Sequence, residues 1–268
     1  MEILPGIHSI PAGRQRTPGL FPPNVYLVLG EGALLIDSGL NRPAQVQVRL
    51  DYLNEMGSPR LDSIYITHRH PDHWGGAKRI KEVTGARVAV HPLDGKRLRG
   101  IDRRPEDGDI IEIAGREMEV IHTPGHTAGH ICLLLKDSGV LFAGDHVMGI
   151  GTTVIRPKEG DMAQYIASLE KLLRYDIQVI CPGHGSLVRS PQRKLQELIQ
   201  HRREREGHVL SCLKEGKNTI DDLIKAIYPE LEPKVVPMAK DQAKAHLVKL
   251  EQEGRVALDG ERYLVVGG

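Results

Sequence analysis

Short apolar runs punctuated by Gly-containing polar turns fill the chain up to Ser190, and helical periodicity takes over beyond it. NVYLVLGEGALLID (24–37) predicts two strands around Gly30-Glu31-Gly32, since apolar residues bounded by turn formers bury on a sheet. Residues 43–57 predict a helix opened by Pro43 and closed by Gly57, the ends at which those residues are tolerated. LDSIYIT (61–67) is a short apolar strand that runs into THRHPDHWGG; a basic helix, AKRIKEVTG, follows, and ARVAVHP is a further strand. Residues 109–122 predict a hairpin around Ala114-Gly115, and HICLLLKDSGVLFAGD (130–145) predicts another. LVLGEGALLIDSG (27–39) is repeated in outline by LLLKDSGVLFAGDH (133–146), and the second half then repeats helix (161–174), strand (177–181) and loop PGHG. Two similar β-rich halves with helices outside predict an α/β fold, a four-layer αββα sandwich whose polar loops gather at one edge.

After Ser190 strands give way to a long polar helix (191–215), a second in TIDDLIKAIYP with Leu223, Ile224 and Ile227 on one face, and a third in MAKDQAKAHLVKLEQEG. RVALDGERYLVV predicts a hairpin with an Asp-Gly turn. Three helices and a hairpin are the plan of a winged helix, so the expected organisation is a catalytic domain over 1–190 and a helical, winged-helix-like domain over 191–268.

Composition narrows the class. Of 268 residues, 40% are apolar and 26% charged, the balance of a soluble globular protein, which excludes disordered, collagenous and disulfide-scaffold chains. No apolar run approaches the ~18 residues of a membrane span, and MEILPGIHSIPAG has neither the pattern of a secretory signal nor that of an import leader. The expectation is a cytoplasmic protein without a membrane partner. Thirty-six basic against 35 acidic residues leave +1, so no net field draws nucleic acid. Cys132 and Cys181 lie in apolar runs and, with Cys212, form no C-x-x-C pair, which predicts buried thiols.

Thirteen histidines are many for this length, and they cluster. In His68-Arg69-His70-Pro71-Asp72-His73, the two histidines that alternate after a strand aim at one point, and Asp72 and His73, on the turn into the next helix, aim at a second. Three imidazoles and a carboxylate in six residues suit zinc or a similar divalent ion. His126 in TPGHTAGH, Asp145 in LFAGDHV and His184 in CPGHG complete a set for two metals, and Asp145 has two oxygens with which to bridge them. Asp37 in LLIDSG sits at a matching strand end, as support for a ligand histidine or as a turn acid. His146 adjoins Asp145 but points the other way along an extended chain.

The order HxHxDH, His126, Asp145, His184 resembles the metallo-β-lactamase superfamily of hydrolases over residues 3–190 or so. The resemblance implies an αββα fold with two divalent metals, zinc foremost, at one edge of the sandwich. It places His68, His70 and His126 on the first metal and Asp72, His73 and His184 on the second, with Asp145 bridging. True zinc β-lactamases generally carry Cys or Ser at the bridging position and are exported, so antibiotic hydrolysis is not expected. Diiron flavoproteins carry Glu at the position of His70, which disfavours oxygen reduction. GDHVMGIGTTVI, GDMAQYIASLEKL, PGHG, HRRERE and the winged helix are similar to the β-lactamase-like group that includes a mitochondrial single-strand endoribonuclease. That similarity, without an import leader, implies a bacterial or archaeal relative.

The function so implied is a binuclear metal-dependent phosphodiesterase acting on single-stranded RNA through a hydroxide held between the metals, with Asp72 orienting the hydroxide and Asp145 bridging. The alternatives are a thioester or lactone hydrolase like glyoxalase II, which shares the same ligand arrangement, and a winged-helix regulator. Thr152, Thr153 and Arg156 are candidates to bind a substrate phosphate, and the loop 13–23, with Arg14, Arg16 and Phe21, is a candidate lip over the site. His201, Arg202 and Arg205 share a helix face. From Ser190 onward 14 basic residues stand against 13 acidic ones, so the winged helix is expected to pack against the metal edge and shape substrate access, without gripping duplex DNA.

Overall fold

The computed structural model describes residues 1–11, 21–96, 98–113 and 115–267. Strands β1 (Glu2–Leu4), β2 (Ile7–Pro11), β3 (Asn24–Leu29) and β4 (Ala33–Ile36) lead into helix α1 (Pro43–Glu55). β5 (Leu61–Ile66), α2 (Pro71–Trp74), α3 (Ala77–Thr84), β6 (Arg87–Val90) and α4 (Pro92–Gly95) complete the first half. The second half holds β7 (Ile110–Ile113), β8 (Arg116–His122), β9 (Ile131–Leu135), β10 (Val140–Gly144), α5 (Met162–Leu172) and β11 (Val179–Pro182). Helices α6 (Pro191–Lys214), α7 (Ile220–Ile227) and α8 (Val236–Gln252) and the hairpin β12 (Val256–Asp259)–β13 (Arg262–Val265) follow. The expected elements form to within about two residues of their predicted ends. The pattern gave no sign of β1 and β2, an edge pair in which Pro5, Gly6 and Pro11 break the apolar alternation.

The first sheet runs β1–β2–β3–β4–β5–β6, antiparallel up to β4 and parallel from there. The second runs β11–β10–β9–β8–β7, with only β10–β11 parallel. Parallel neighbours need a crossover, supplied here by α1, α3 and α5. That pairing brings the C-terminal ends of β4 and β5, and of β10 and β11, to shared edges. Tyr26, Leu34 and Ile36 of the first sheet pack on Val120, Leu133 and Phe142 of the second. The outer face of the first sheet buries Val46, Leu53 and Ile80, and that of the second buries Tyr165, Leu169 and Leu172. Leu195, Leu198 and Ile199 from the start of α6 belong to that last layer, whereas Val209 and Leu213 from its end join Leu223, Leu247, Leu250 and Tyr263 in a separate C-terminal core. Among the described residues no helix is long and apolar enough to cross a membrane. All three cysteines are free thiols, and burial pushes those of Cys132 and Cys181 up to about 12.

One core residue is a liability in acid. His246 of α8 is fully buried, and neither ring nitrogen has a hydrogen-bond partner among the described residues. Burial, reinforced by Arg202, Lys249, Arg205 and His201, lowers its pKa to about 3. The unfolded chain takes up this proton near pH 6.5 and the native state does not, so its contribution is complete above that pH and is lost as pH falls toward 3. The loss is about 2 kcal/mol by pH 5. Thermal melts of His246→Leu should therefore gain on the wild type between pH 7.5 and pH 5; a difference independent of pH would refute this.

Candidate metal centre

The site is built at the edge where strands run out. Beyond β5 the chain bends at 67–69, carrying His68, and straightens at His70; α2 begins at Pro71 and turns Asp72 and His73 onto the next face. His126 lies between β8 and β9, Asp145 follows Gly144 of β10, and His184 follows Pro182 of β11. Gly183 is needed there, since a Cβ would overlap the Asp145 carboxylate.

The donor atoms fall into two sets, His68, His70, His126 and Asp145 in one and Asp72, His73 and His184 in the other, with the atoms of each within 4.8 Å of one another. His68 Nε2 and His126 Nε2 each stand 3.0 Å from His70 Nδ1. Asp145 Oδ2 faces this set, 3.6 Å from His126 Nε2 and 4.0 Å from His68 Nε2. Its Oδ1 faces the other, 3.3 Å from His73 Nε2 and 3.5 Å from His184 Nε2. Asp72 Oδ2 is 3.4 Å from His184 Nε2. One carboxylate thus presents an oxygen to each set.

The far nitrogen of each Nε2 donor is held by a specific acceptor. His73 Nδ1 donates to Asp37 Oδ2 at 2.7 Å, His126 Nδ1 to the Val154 carbonyl at 2.9 Å, and His184 Nδ1 to the Phe21 carbonyl at 2.8 Å. Thr67 donates to Asp37 from its backbone N–H (2.8 Å) and its hydroxyl (2.9 Å), which leaves the hydroxyl oxygen to accept from His68 Nδ1 at 3.1 Å. Protons at Nδ1 leave lone pairs at Nε2. Burial, with the neighbouring imidazoles, drives His68 well below its ordinary pKa, and burial lowers His126 to about 4. Burial also lowers His70, against Glu159 and Asp145. With His68 and His126 presenting lone pairs from Nε2 to the one His70 Nδ1 at 3.0 Å each, and Asp145 facing the same point, the convergent nitrogen and oxygen donors fit a divalent ion.

The second set balances its charge differently. Burial disfavours a proton on His73, but Asp145 and Asp37 outweigh it and raise the pKa well above the ordinary value. His184 is raised against burial by Asp72 and Asp145. Burial would raise the Asp145 carboxyl, yet His73, His184 and His126 hold it far below the usual range. A cation bound there takes the place of these protons, so binding releases them and weakens as pH falls.

Several supports carried no signal in sequence. Asp94, fully buried, accepts from the Arg69 backbone N–H (2.9 Å), Arg69 Nη1 (3.0 Å), Thr127 Oγ1 (2.7 Å) and the Gly129 N–H (3.1 Å), and so ties the His70 loop to the His126 loop. Glu159 Oε2 lies 3.4 Å from His70 Nε2. The only hint was that Asp94, like the ligands, follows the end of a strand. Asp37, open between two readings in the sequence, supports a ligand histidine directly. His146 is buried away from both sets, its ring 4.8 Å from Tyr165.

The substrate candidates fare unevenly. Thr153 is buried and its hydroxyl donates to the Asp145 carbonyl at 2.7 Å, so it has no proton to offer a phosphate. Thr152 is half-buried beside it, and Arg156 is exposed with Nε 3.6 Å from Asp241 Oδ2. Arg14 and Arg16 lie outside the described residues; Phe21 contributes its carbonyl to His184. Arg202 is buried, not presented to solvent, and Arg205 stacks 4.9 Å over Tyr228. The C-terminal helices do pack against the metal edge, through Arg202 and Gln242 on the Thr153 carbonyl.

The profile of the metallo-beta-lactamase superfamily matches residues 18–184, and that of the beta-lactamase associated winged helix domain matches 219–263. A beta-lactamase-like protein 2 homolog of Drosophila melanogaster is 32% identical over 96% of this chain and 94% of its own length. An atrochrysone carboxyl ACP thioesterase of Aspergillus fumigatus is 32% identical over 78% of this chain and 69% of its own. The crystal structure of a metallo-beta-lactamase family protein from Thermus thermophilus shares the fold, with a TM-score of 0.82 at 24% identity over 98% of this chain and all of that one (100%). The sandwich profile spans most of the chain and the fly relative runs almost its full length, so this protein belongs to the metallo-β-lactamase superfamily, as a metal-dependent hydrolase with a C-terminal winged-helix domain.

Proposed function

We propose that this hydrolase cuts small esters or thioesters, with two zinc ions as its metals, rather than the RNA phosphodiester first expected from the sequence. The observation that carries the reading is the pairing, among the described residues, of the two arginines beside the ligands, Arg69 and Arg156. Arg69 is bound to Asp94 (3.0 Å) and approaches Glu159 (3.6 Å), and Arg156 lies between Glu159 (3.9 Å) and Asp241 (3.6 Å). Cations already matched by carboxylates leave little net attraction for a polyanion, whereas RNA binding draws its affinity from neutralised phosphates. The thioesterase relative supports the same choice, and an imidazole-rich set with two carboxylates suits zinc.

Divalent ions held by these residues polarise a carbonyl oxygen and let water act as a nucleophile near neutral pH. The chain's own part is to aim the donors, to exclude water behind them and to handle protons. Asp72 keeps 34% of its side chain exposed, so its carboxylate can accept a hydrogen bond from the attacking water and orient it. In thioester hydrolysis the new C–O bond replaces the C–S bond, and the departing sulfur takes up the proton that the water gives up.

Purified zinc-loaded protein should be offered an S-acyl N-acetylcysteamine, a lactone, bis(p-nitrophenyl) phosphate and end-labelled single-stranded RNA. Turnover of the thioester or lactone well above that of the phosphodiesters is expected. A cleavage ladder on RNA with neither carbonyl substrate consumed would restore the phosphodiesterase reading.

A further inference from the structure

The C-terminal helices reach the metal ligands through one short stretch of backbone. Residues 152–156 belong to no helix and no strand, so their polar groups need other partners. Gln242 of α8 supplies two, its Nε2 donating to the Thr153 carbonyl at 2.9 Å and its Oε1 accepting from the Ile155 N–H at 3.3 Å. A single side-chain amide thereby brackets Val154 as a neighbouring strand would. Arg202 of α6 donates from Nη2 to the same Thr153 carbonyl at 2.5 Å; it is 2% exposed and lies 5.2 Å over the Tyr165 ring. Between the two clamped residues, the Val154 carbonyl is the acceptor for His126 Nδ1.

We propose that Gln242 and Arg202 are positioning residues for the metal set of His68, His70 and His126. By fixing the Val154 carbonyl, the winged-helix side of the molecule fixes the tautomer and the aim of His126. Groups that orient a metal-ligating imidazole are worth about 10- to 100-fold in metal affinity, and here that group is itself held by residues 49 and 89 positions further along the chain than Thr153. The clamp orients no imidazole of the other set, because His73 is oriented by Asp37 and His184 by the Phe21 carbonyl. The inference goes beyond the proposed activity, since it concerns the ions and not the bond that is cut.

The test uses the full metal-free chain, titrated with zinc against a chromophoric chelator that resolves two binding steps. The tautomer of His126 is read in parallel from long-range ¹H–¹⁵N spectra. Gln242→Ala should weaken one step by about 10- to 100-fold, leave the other within about twofold, and convert His126 from the Nδ1–H form to a mixture. Asp241→Asn, which loosens the adjacent Arg156 contact from the same turn of α8, should change neither readout. Unaltered zinc affinities and an unaltered His126 tautomer in Gln242→Ala would overturn the proposal. So would an equal loss of both steps, the mark of general loosening. If Gln242→Ala does not fold, Arg202→Lys is read by the same criteria, since the shorter ammonium cannot keep both the Thr153 bond and the stack on Tyr165.

Discussion

Replacing Asp145 with alanine should cost at least about 10³-fold in turnover, roughly 4 kcal/mol of transition-state stabilisation, and should reduce bound metal from two ions to one or none. Its two oxygens are divided between the donor sets, Oδ2 toward His126 and His68, Oδ1 toward His73 and His184. No other ligand side chain among the described residues divides its donor atoms in this way. Its loss also takes from His73 and His184 one of the two carboxylates that match each of them in the absence of metal, leaving Asp37 and Asp72. The fold should survive, because the residue follows the end of β10 and is not among the packed apolar residues. Metal content by elemental analysis and turnover have to be measured on the same preparation. Near-normal turnover with two ions bound would refute the bridging role.

Asp37→Asn should weaken metal binding by about 10- to 100-fold while barely changing the structure. Asp37 sits at φ 60°, a left-handed conformation that asparagine also tolerates, so the backbone is not expected to move. The amide oxygen of the substituted side chain can still accept from the Thr67 N–H. Its NH2 group cannot accept from His73 Nδ1, where the carboxylate now does so at 2.7 Å. Because Thr67 relays Asp37 to His68, both donor sets lose orientation from one substitution, unlike the Gln242 variant. Calorimetric zinc titration would check this, and affinity equal to wild type for both ions would count against it.

The ligands were legible because each carries a signal that survives in one dimension: a polar residue just past an apolar run, histidines in alternation, a glycine beside the sharpest turn. The supports were not. Asp94 meets partners 25 to 35 positions away, and nothing near it in the chain announces them. Val154 and Phe21 act through backbone carbonyls, to which their side chains are irrelevant. Asp37 could be singled out by position but not assigned, since its bond to His73 spans 36 residues. Helical spacing grouped His201, Arg202 and Arg205 on one face without saying what covers it; α5 and the Thr153 stretch bury Arg202. Spacing reports which side chains are neighbours, and only packing reports which way they look.

Helix α6 has consequences for how this molecule can be inherited and taken apart. Leu195, Leu198 and Ile199 at its start are seated in the sandwich, and Val209 and Leu213 near its end are seated in the C-terminal core. Each such side chain is worth about 1.5–3 kcal/mol when buried, so neither core can melt without exposing apolar surface that the other needs. The two parts are therefore not beads on a string to be shuffled between enzymes. Recombination at Ser190 would move the helix whole and leave the sandwich with an uncovered apolar groove, whereas a break in mid-helix would divide one rigid rod into two frayed stumps. A lineage that kept this helix had to keep both of its tenants.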